Sequence, residues 1–144
     1  MASAYFAEWR SKIDTALEGA AFYVSKGHNK DAAFTLHQAA ERAYNCVLLV
    51  RTHYVPRSHN LKFLRSLAED KESRLIASWP RAIKLDRRRF ELAKRAYVES
   101  RYSSAYEISS DDLLAITRAV HALRETVESV SRDWIDDLRK TAGL

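Results

Sequence analysis

The sequence predicts an all-α fold, an antiparallel up-and-down bundle of about five helices, and three observations support it. Only 3 glycines and 2 prolines occur among the 144 residues, so few positions interrupt a helix. Apolar residues make up 47% and charged residues 30% of the chain, which suits helices with one buried and one solvated face. Apolar residues also recur at steps of three and four along the chain. At this length we expect residues 1–144 to form one domain.

Two long helices are predicted first, over about residues 4–26 and 30–53. Gly27 is expected to end the first helix, and Asn29 is expected to cap the N-terminus of the second. Residues 43–50 are apolar nearly all round, which is typical of a helix at the centre of a bundle. Pro56 then ends the second helix. The apolar face predicted for the first helix comprises Phe6, Trp9, Ile13, Leu17, Ala20 and Val24.

The remaining helices are predicted after Pro56. A short helix carries Leu61, Leu64 and Leu67, and a brief segment over residues 72–78 is closed by Trp79 and Pro80. The fourth long helix is expected over about residues 86–100, with a loop over residues 101–104. Ser109 lies three residues before Asp112, the spacing of a capping box at the start of the last helix. That helix has an apolar face made of Leu113, Ile116, Val120, Leu123, Val127, Val130, Trp134 and Leu138.

Several functional classes are excluded by residue counts. Three glycines cannot build a P-loop or a dinucleotide fingerprint, and one cysteine, Cys46, permits no intramolecular disulfide. The five histidines are scattered, so we expect no metal site and no cofactor. Cys46 lies in the apolar half of the second helix, which favours a buried, inert thiol. No apolar run approaches the roughly 20 residues of a membrane span, no secretory signal is recognisable, and we expect a cytoplasmic protein.

The positive charge is concentrated in one segment. Residues 81–101 hold eight basic and three acidic side chains, which accounts for the whole formal net charge of +5. Arg87, Arg88, Arg89 and Arg95 have few compensating acids nearby in the sequence. Guanidinium groups suit phosphate because they offer two parallel donors. The segment is therefore either a solvated helix face or a phosphate-binding surface, and its pattern gives no reason to expect sequence-specific recognition.

A polar group interrupts the apolar second helix. His37 and Glu41 are four residues apart and share one helix face, and Gln38 and Arg42 form a neighbouring pair. Two interpretations remain open: a polar pair that fills a gap in the core, or a polar patch inside a cleft.

Three segments together resemble the HEPN domains, a family of small helical bundles. They are AFTLHQAAERA at residues 33–43, PRSHNL at residues 56–61 and AYVESRYS at residues 96–103. The typical sequences of these three motifs in the family are close to HQAAEKA, PxxHDL and AYxxARYP, in the same order and at similar spacing. The likeness extends over most of residues 6–130 and is greatest to the C-terminal HEPN domain of bacterial nucleotidyltransferase–HEPN proteins. This resemblance implies a helical domain that could be excised from a longer nucleotidyltransferase-containing protein.

The resemblance also implies an activity. Many HEPN proteins are metal-independent ribonucleases in which an arginine is followed, after four to six residues, by a histidine. Two such motifs face each other across a dimer, often within toxin–antitoxin pairs. Arginine would stabilise the charged phosphorane, and histidine would move protons. This chain departs from the motif, because Tyr106, Glu107 and Ile108 stand where Arg101 would require a histidine, and His59 follows Arg51 after seven residues.

Three hypotheses follow from these patterns. The first is a non-catalytic, dimeric module that binds a nucleotide or an RNA phosphate, with ligand-binding candidates Arg101, Tyr102, His59, Arg57, His37 and Glu41. In this hypothesis Arg101 and Arg57 hold phosphate, and Tyr102 stacks on a base. The second is a degenerate ribonuclease, for which His59 and Arg101 are the weak catalytic candidates. The third is a protein-interaction bundle whose basic face contacts a nucleotidyltransferase.

Overall fold

The computed structural model describes residues 2–143, and this part of the chain contains helices but no strand. It has five α-helices and one 3₁₀ helix, which confirms the predicted all-α bundle. The α-helices are α1 Ala2–Ser25, α2 Asn29–Thr52, α3 Leu61–Lys71, α4 Lys84–Tyr102 and α5 Ser110–Thr141. The brief segment predicted before Pro80 is the 3₁₀ helix, Ser73–Ser78.

Helix α2 lies at the centre of the bundle, as its apolar second half predicts. It contacts α1, α3, α4 and α5, and thirteen of its 24 residues are buried. Five of the buried residues are alanines, whose small side chains let neighbouring helices approach closely. Cys46 is fully buried here, and burial raises the pKa of its thiol to about 12. The predicted burial of this thiol is confirmed, and its raised pKa is the property expected of an unreactive cysteine.

The end of α1 and the start of α2 agree only in part with the sequence prediction. Gly27 has a φ of 76°, and the His28 N–H donates to the Tyr23 carbonyl at 3.0 Å, so Gly27 ends α1 as predicted. The prediction that Asn29 caps α2 is wrong: Asn29 is the first residue of α2, and its side chain donates to the Ile108 carbonyl at 3.2 Å. The amide is used for a tertiary contact, so it is not available to cap the helix.

The start of α5 agrees with the sequence prediction, and the end of α4 does not. The Asp112 N–H donates to Ser109 Oγ at 3.0 Å and the Ser109 N–H donates to Asp112 Oδ2 at 3.3 Å, which confirms the predicted capping box. The loop expected to begin at residue 101 is wrong, because Arg101 and Tyr102 form the end of α4. The Arg101 guanidinium donates to the Tyr97 carbonyl one turn earlier, which stabilises this end of α4.

Two residues of the predicted apolar faces are exposed. Val24 and Leu138 have exposed fractions of 44% and 42%. Each lies in the last turn of its helix, where fewer neighbouring side chains cover it. Within residues 2–143 we find no helix with an apolar stretch that could cross a bilayer.

Candidate functional site

Side chains from three parts of the chain meet on one side of α2. Helix α2 presents one face through positions 34, 37 and 41, and α4 contributes positions 97 and 101, one turn apart. The eight-residue connection before α3 adds position 59, next to the α3 N-cap Asn60. We call this group the Tyr97 cluster, and its members are Phe34, His37, Glu41, His59, Tyr97 and Arg101.

His59 is held by two contacts. Its Nδ1 lies 2.6 Å from Glu41 Oε1, and its ring stacks on Tyr97 with centroids 4.2 Å apart and planes 13° apart. The Glu41 side chain is 13% exposed and the His59 side chain is 57% exposed. Because a carboxylate accepts hydrogen bonds, we assign the proton to Nδ1 of His59. Nε2 is then the ring nitrogen left facing a ligand, and the exposed imidazole is fixed in orientation.

His37 lies beneath this surface. Its ring is fully buried, with a centroid 5.4 Å from that of Tyr97, and its Nδ1 donates to the Ala93 carbonyl at 3.0 Å. Its Nε2 is buried and has no partner within hydrogen-bonding distance in the described residues. Burial lowers the pKa of His37, against opposing effects of the Ala93 and His59 carbonyls and of Glu41. His37 and Glu41 thus make separate contacts, and the imidazole supports the cluster from inside.

Arg101 brings an exposed positive charge to the cluster. Its guanidinium carbon lies 4.5, 5.0 and 5.1 Å from the ring centroids of Phe34, Tyr97 and Tyr102. The guanidinium donates to the Tyr97 carbonyl, and within residues 2–143 it forms no ion pair with a carboxylate. Its charge is therefore available to an anion above a largely aromatic surface.

The other two ligand-binding candidates differ in their placement. Tyr102 extends beside Arg101 with 76% of its area exposed, so its ring is accessible for stacking. Arg57 is exposed in the connection before α3, and it makes no ion pair or side-chain hydrogen bond with any described residue. The fold therefore brings Arg101, Tyr102, His59, His37 and Glu41 together and leaves Arg57 outside their contacts.

Sequence reasoning missed two aromatic members of the site. Phe34 and Tyr97 have ring centroids 5.9 Å apart and stack with planes 23° apart. Phe34 precedes His37 by three residues and Tyr97 precedes Arg101 by four, which are same-face spacings on a helix. Those spacings were the available signal, but an aromatic residue at such a position is more often part of a core.

A groove opens beside the cluster. It encloses about 350 Å³ and is lined by His59, Asn60, Tyr97 and Val98, together with Lys94, Arg95 and Glu99. Val98 is 53% exposed, so the edge of the groove is partly apolar. Within residues 2–143 no group of three or more His, Cys, Asp or Glu side chains is arranged to hold a metal ion.

The basic segment has more compensating acids in the folded protein than its own sequence contains. Arg88 and Arg89 both reach the buried Asp112 of α5, at 3.4 and 3.1 Å. Arg95 pairs with Glu99 at 2.7 Å, and Lys94 pairs with Glu91 at 3.1 Å. Arg81 pairs with Glu69 of α3. The acids come from neighbouring turns and from other helices, so much of the local charge is neutralised within the protein.

The two sequence positions considered for a ribonuclease motif have structural roles. Tyr106 is fully buried, and its hydroxyl donates to the Leu92 carbonyl at 2.7 Å. Burial raises the pKa of Tyr106 to about 12, so it cannot act as a base near neutral pH. Arg51 lies 3.5 Å from Glu72 and stacks on Trp134 at 4.1 Å. Neither residue belongs to the Tyr97 cluster.

Comparison with protein-family models shows that residues 6–130 match the family described as HEPN domain. The matched range includes all members of the Tyr97 cluster and Tyr102. Comparison with curated proteins gave no match.

Proposed function

The chain belongs to the HEPN domain family, and from this premise we propose that it is a non-catalytic module that binds a nucleotide or RNA by a phosphate. The proposed site is the surface of the Tyr97 cluster, with Tyr102 beside it. The module is proposed to work as a homodimer in the cytoplasm, together with a nucleotidyltransferase domain or protein. These last features come from the resemblance to nucleotidyltransferase–HEPN proteins.

The observation that carries the proposal is the environment of Arg101. This exposed guanidinium has no carboxylate partner in the described chain and lies among three aromatic rings. Proteins that recognise single-stranded RNA combine cationic groups for the backbone with aromatic rings or guanidinium planes for the bases. Tyr97 already stacks on His59, whereas Tyr102 is accessible. We therefore assign phosphate binding to Arg101 and base stacking to Tyr102.

A thermal-shift panel with ATP, GTP, CTP, UTP and a short RNA, at low and moderate salt, tests this function. A ligand that binds only the folded state adds about 2.7 kcal/mol of stability at one hundred times its dissociation constant. We expect a shift that persists at moderate salt for at least one ligand. A shift that disappears with salt would indicate nonspecific charge attraction and would contradict the proposed site.

Matched variants locate the site. Arg101→Ala should weaken ligand binding at least about tenfold, since a charge-assisted hydrogen bond contributes about 1.5–3 kcal/mol. Arg118→Ala removes the same charge from an exposed position of α5 and should leave affinity unchanged. Equal affinity of wild type and Arg101→Ala would remove Arg101 from the site. Sedimentation equilibrium checks the dimer against the 16.5 kDa chain mass.

A second candidate function is a degenerate, metal-independent ribonuclease, favoured by the His59–Glu41 contact of 2.6 Å. A carboxylate that orients an imidazole is a common arrangement for proton transfer, and Arg101 lies against the same Tyr97 ring as His59. His59 would take the proton of the 2′-hydroxyl as its oxygen bonds to phosphorus, and would return that proton to the 5′-oxygen as the P–O5′ bond breaks, which leaves a 2′,3′-cyclic phosphate. Arg101 would stabilise the negative charge on the phosphoryl oxygens.

RNA cleavage in the presence of a chelator distinguishes this function from simple binding. Cleavage that is lost in His59→Ala and reduced in Glu41→Gln would support it, with His121→Ala as the exposed control. Intact RNA at high protein concentration would contradict it. A protein-interaction bundle, the remaining alternative, would bind a nucleotidyltransferase with no response to nucleotides.

A further inference from the structure

A second pocket lies between α3 and the start of α4, away from the Tyr97 cluster. It encloses about 440 Å³, which is within the range of small-molecule sites. Positions 62, 65 and 69 share one face of α3, and positions 87, 90 and 91 share one face of α4. The side chains that carry the argument are Lys62, Arg65, Glu69, Arg81, Arg87 and Phe90.

The wall of this pocket combines an aromatic ring with a guanidinium. The Arg65 guanidinium carbon lies 4.2 Å from the centroid of the Phe90 ring. Arg65 is kept there by Glu69, which accepts from its Nε at 3.3 Å. A guanidinium held against an aromatic ring offers a planar surface that accepts another planar group.

Both carboxylates of the pocket are paired with cations, whereas two of its cations have no carboxylate partner. Glu69 also accepts from Arg81 Nη1 at 2.9 Å, so two arginines share this carboxylate. The second carboxylate of the pocket, Glu91, is paired with Lys94 at 3.1 Å. The pocket's acids are therefore neutralised by cations that are already in place.

Two exposed cations at the pocket have no such partner. Lys62 and Arg87 form no ion pair with a carboxylate among residues 2–143. Arg87 Nη1 donates to the main-chain carbonyls of Arg81 and Ala82 at 3.0 and 3.1 Å, which holds its side chain at the pocket. An anion that enters here would meet two positive charges whose attraction no carboxylate cancels.

We infer that this pocket binds a small organic phosphomonoester with a planar, apolar body. A phosphomonoester carries about −1.5 to −2 charges at pH 7, which matches Lys62 and Arg87. The planar body would pack beside Arg65 and Phe90, and it would fill volume that a bare phosphate leaves empty. This inference is independent of the function proposed for the Tyr97 cluster, because the two sites share no residue.

NMR titration of the whole ¹⁵N-labelled chain with phenyl phosphate, inorganic phosphate and phenol tests the inference. Phenyl phosphate should give saturable shifts at residues 62–69 and 81–91, and any shifts at the Tyr97 cluster would report the separate site proposed above. Inorganic phosphate should bind more weakly at the same residues, and phenol should give no saturable shifts. Absence of saturable shifts at residues 62–69 and 81–91 at millimolar phenyl phosphate would overturn the inference.

Charge-matched variants separate this pocket from general basicity. The double variant Lys62→Gln/Arg87→Gln should weaken phenyl phosphate at least about tenfold. Lys71→Gln/Lys84→Gln removes two exposed charges on the same helices outside the pocket and should change affinity less than about twofold. Equal losses in both would overturn the inference. Arg87→Gln also removes hydrogen bonds to main-chain carbonyls, so the double variant changes more than charge. For this reason Lys62→Gln alone must also weaken the binding of phenyl phosphate.

Discussion

At the residue scale, burial determines what each histidine of the Tyr97 cluster can do. His59 remains exposed while Glu41 orients it, so it can meet a ligand. His37 is enclosed by α2, α4 and Tyr97, and burial lowers its pKa from the ordinary 6.5. Two residues of the same type at one site therefore have different roles: one faces solvent, and the other is a neutral part of the core.

The lowered pKa of His37 makes stability depend on pH. The unfolded chain takes up a proton near pH 6.5, whereas the folded chain resists it, so the unfolded state binds more protons below this pH. The free energy of unfolding should therefore fall as pH decreases below about 6.5, by at most about 1.4 kcal/mol per pH unit for this one group. Urea denaturation from pH 7.5 to pH 5.5 measures the slope.

Variants identify the responsible histidine. His37→Gln should be less stable at neutral pH but should lose much of the slope. His121→Gln, at an exposed position on α5, should keep the wild-type slope. An unchanged slope in His37→Gln would show that another group causes the pH dependence.

At the scale of elements, helix ends explain where the site residues lie. The two additional residues of α4, Arg101 and Tyr102, lie past the end predicted for the helix, and Arg101 packs against Phe34. The capping box at the start of α5 contains Asp112, whose carboxylate also forms ion pairs with Arg88 and Arg89 of α4. This carboxylate therefore joins the two helices while it caps one of them.

Loss of the α5 cap should destabilise the fold by a modest amount. Ser109→Ala removes the oxygen that accepts from the Asp112 N–H, and we expect a cost of about 1 kcal/mol in the free energy of unfolding. Ser110→Ala changes the adjacent exposed residue, whose side chain has no capping role, and should have a much smaller effect. Denaturant titration gives both values, and equal effects would contradict the assigned role of Ser109.

At the scale of the whole molecule, the central position of α2 makes its thiol a reporter of global unfolding. Cys46 is fully buried, and burial raises the pKa of its thiol to about 12. The thiolate that reacts with disulfide reagents is thus both scarce and shielded.

Labelling of Cys46 should be limited by opening of the bundle. With an aromatic disulfide reagent, the rate should follow the unfolded fraction as urea increases. Ser110→Cys places a thiol on the surface, and that thiol should react at once in the folded protein. Equally rapid reaction of Cys46 in the folded wild type would contradict its enclosure.

In the folded protein, acids from other helices pair with part of the positive charge that lies in one segment of the sequence. Residues 81–101 hold a net +5, yet Asp112 and Glu69 from other helices pair with Arg88, Arg89 and Arg81. The remaining attraction for anions is local. We propose that anions bind at Arg101, which is surrounded by aromatic rings, and at the pocket that contains Lys62 and Arg87.

Sequence patterns alone were enough to predict the helices, the central place of α2, the end of α1 at Gly27, the Ser109 capping box and the family resemblance. Each depends on residues a few positions apart, because helix hydrogen bonds and caps join groups within about four residues. The sequence also identified five of the residues that meet at the site, Arg101, Tyr102, His59, His37 and Glu41.

Only the tertiary structure decided how those residues are used. Glu41 is 18 residues from His59, and Arg89 is 23 residues from Asp112. Phe34 and Tyr97 meet only because α4 packs on α2. Arg57 lies outside the cluster although the sequence places it beside His59. Local periodicity indicates which face of a helix is buried. The distance between two charged groups depends instead on how whole helices pack. That distance decides which charges remain free for a ligand.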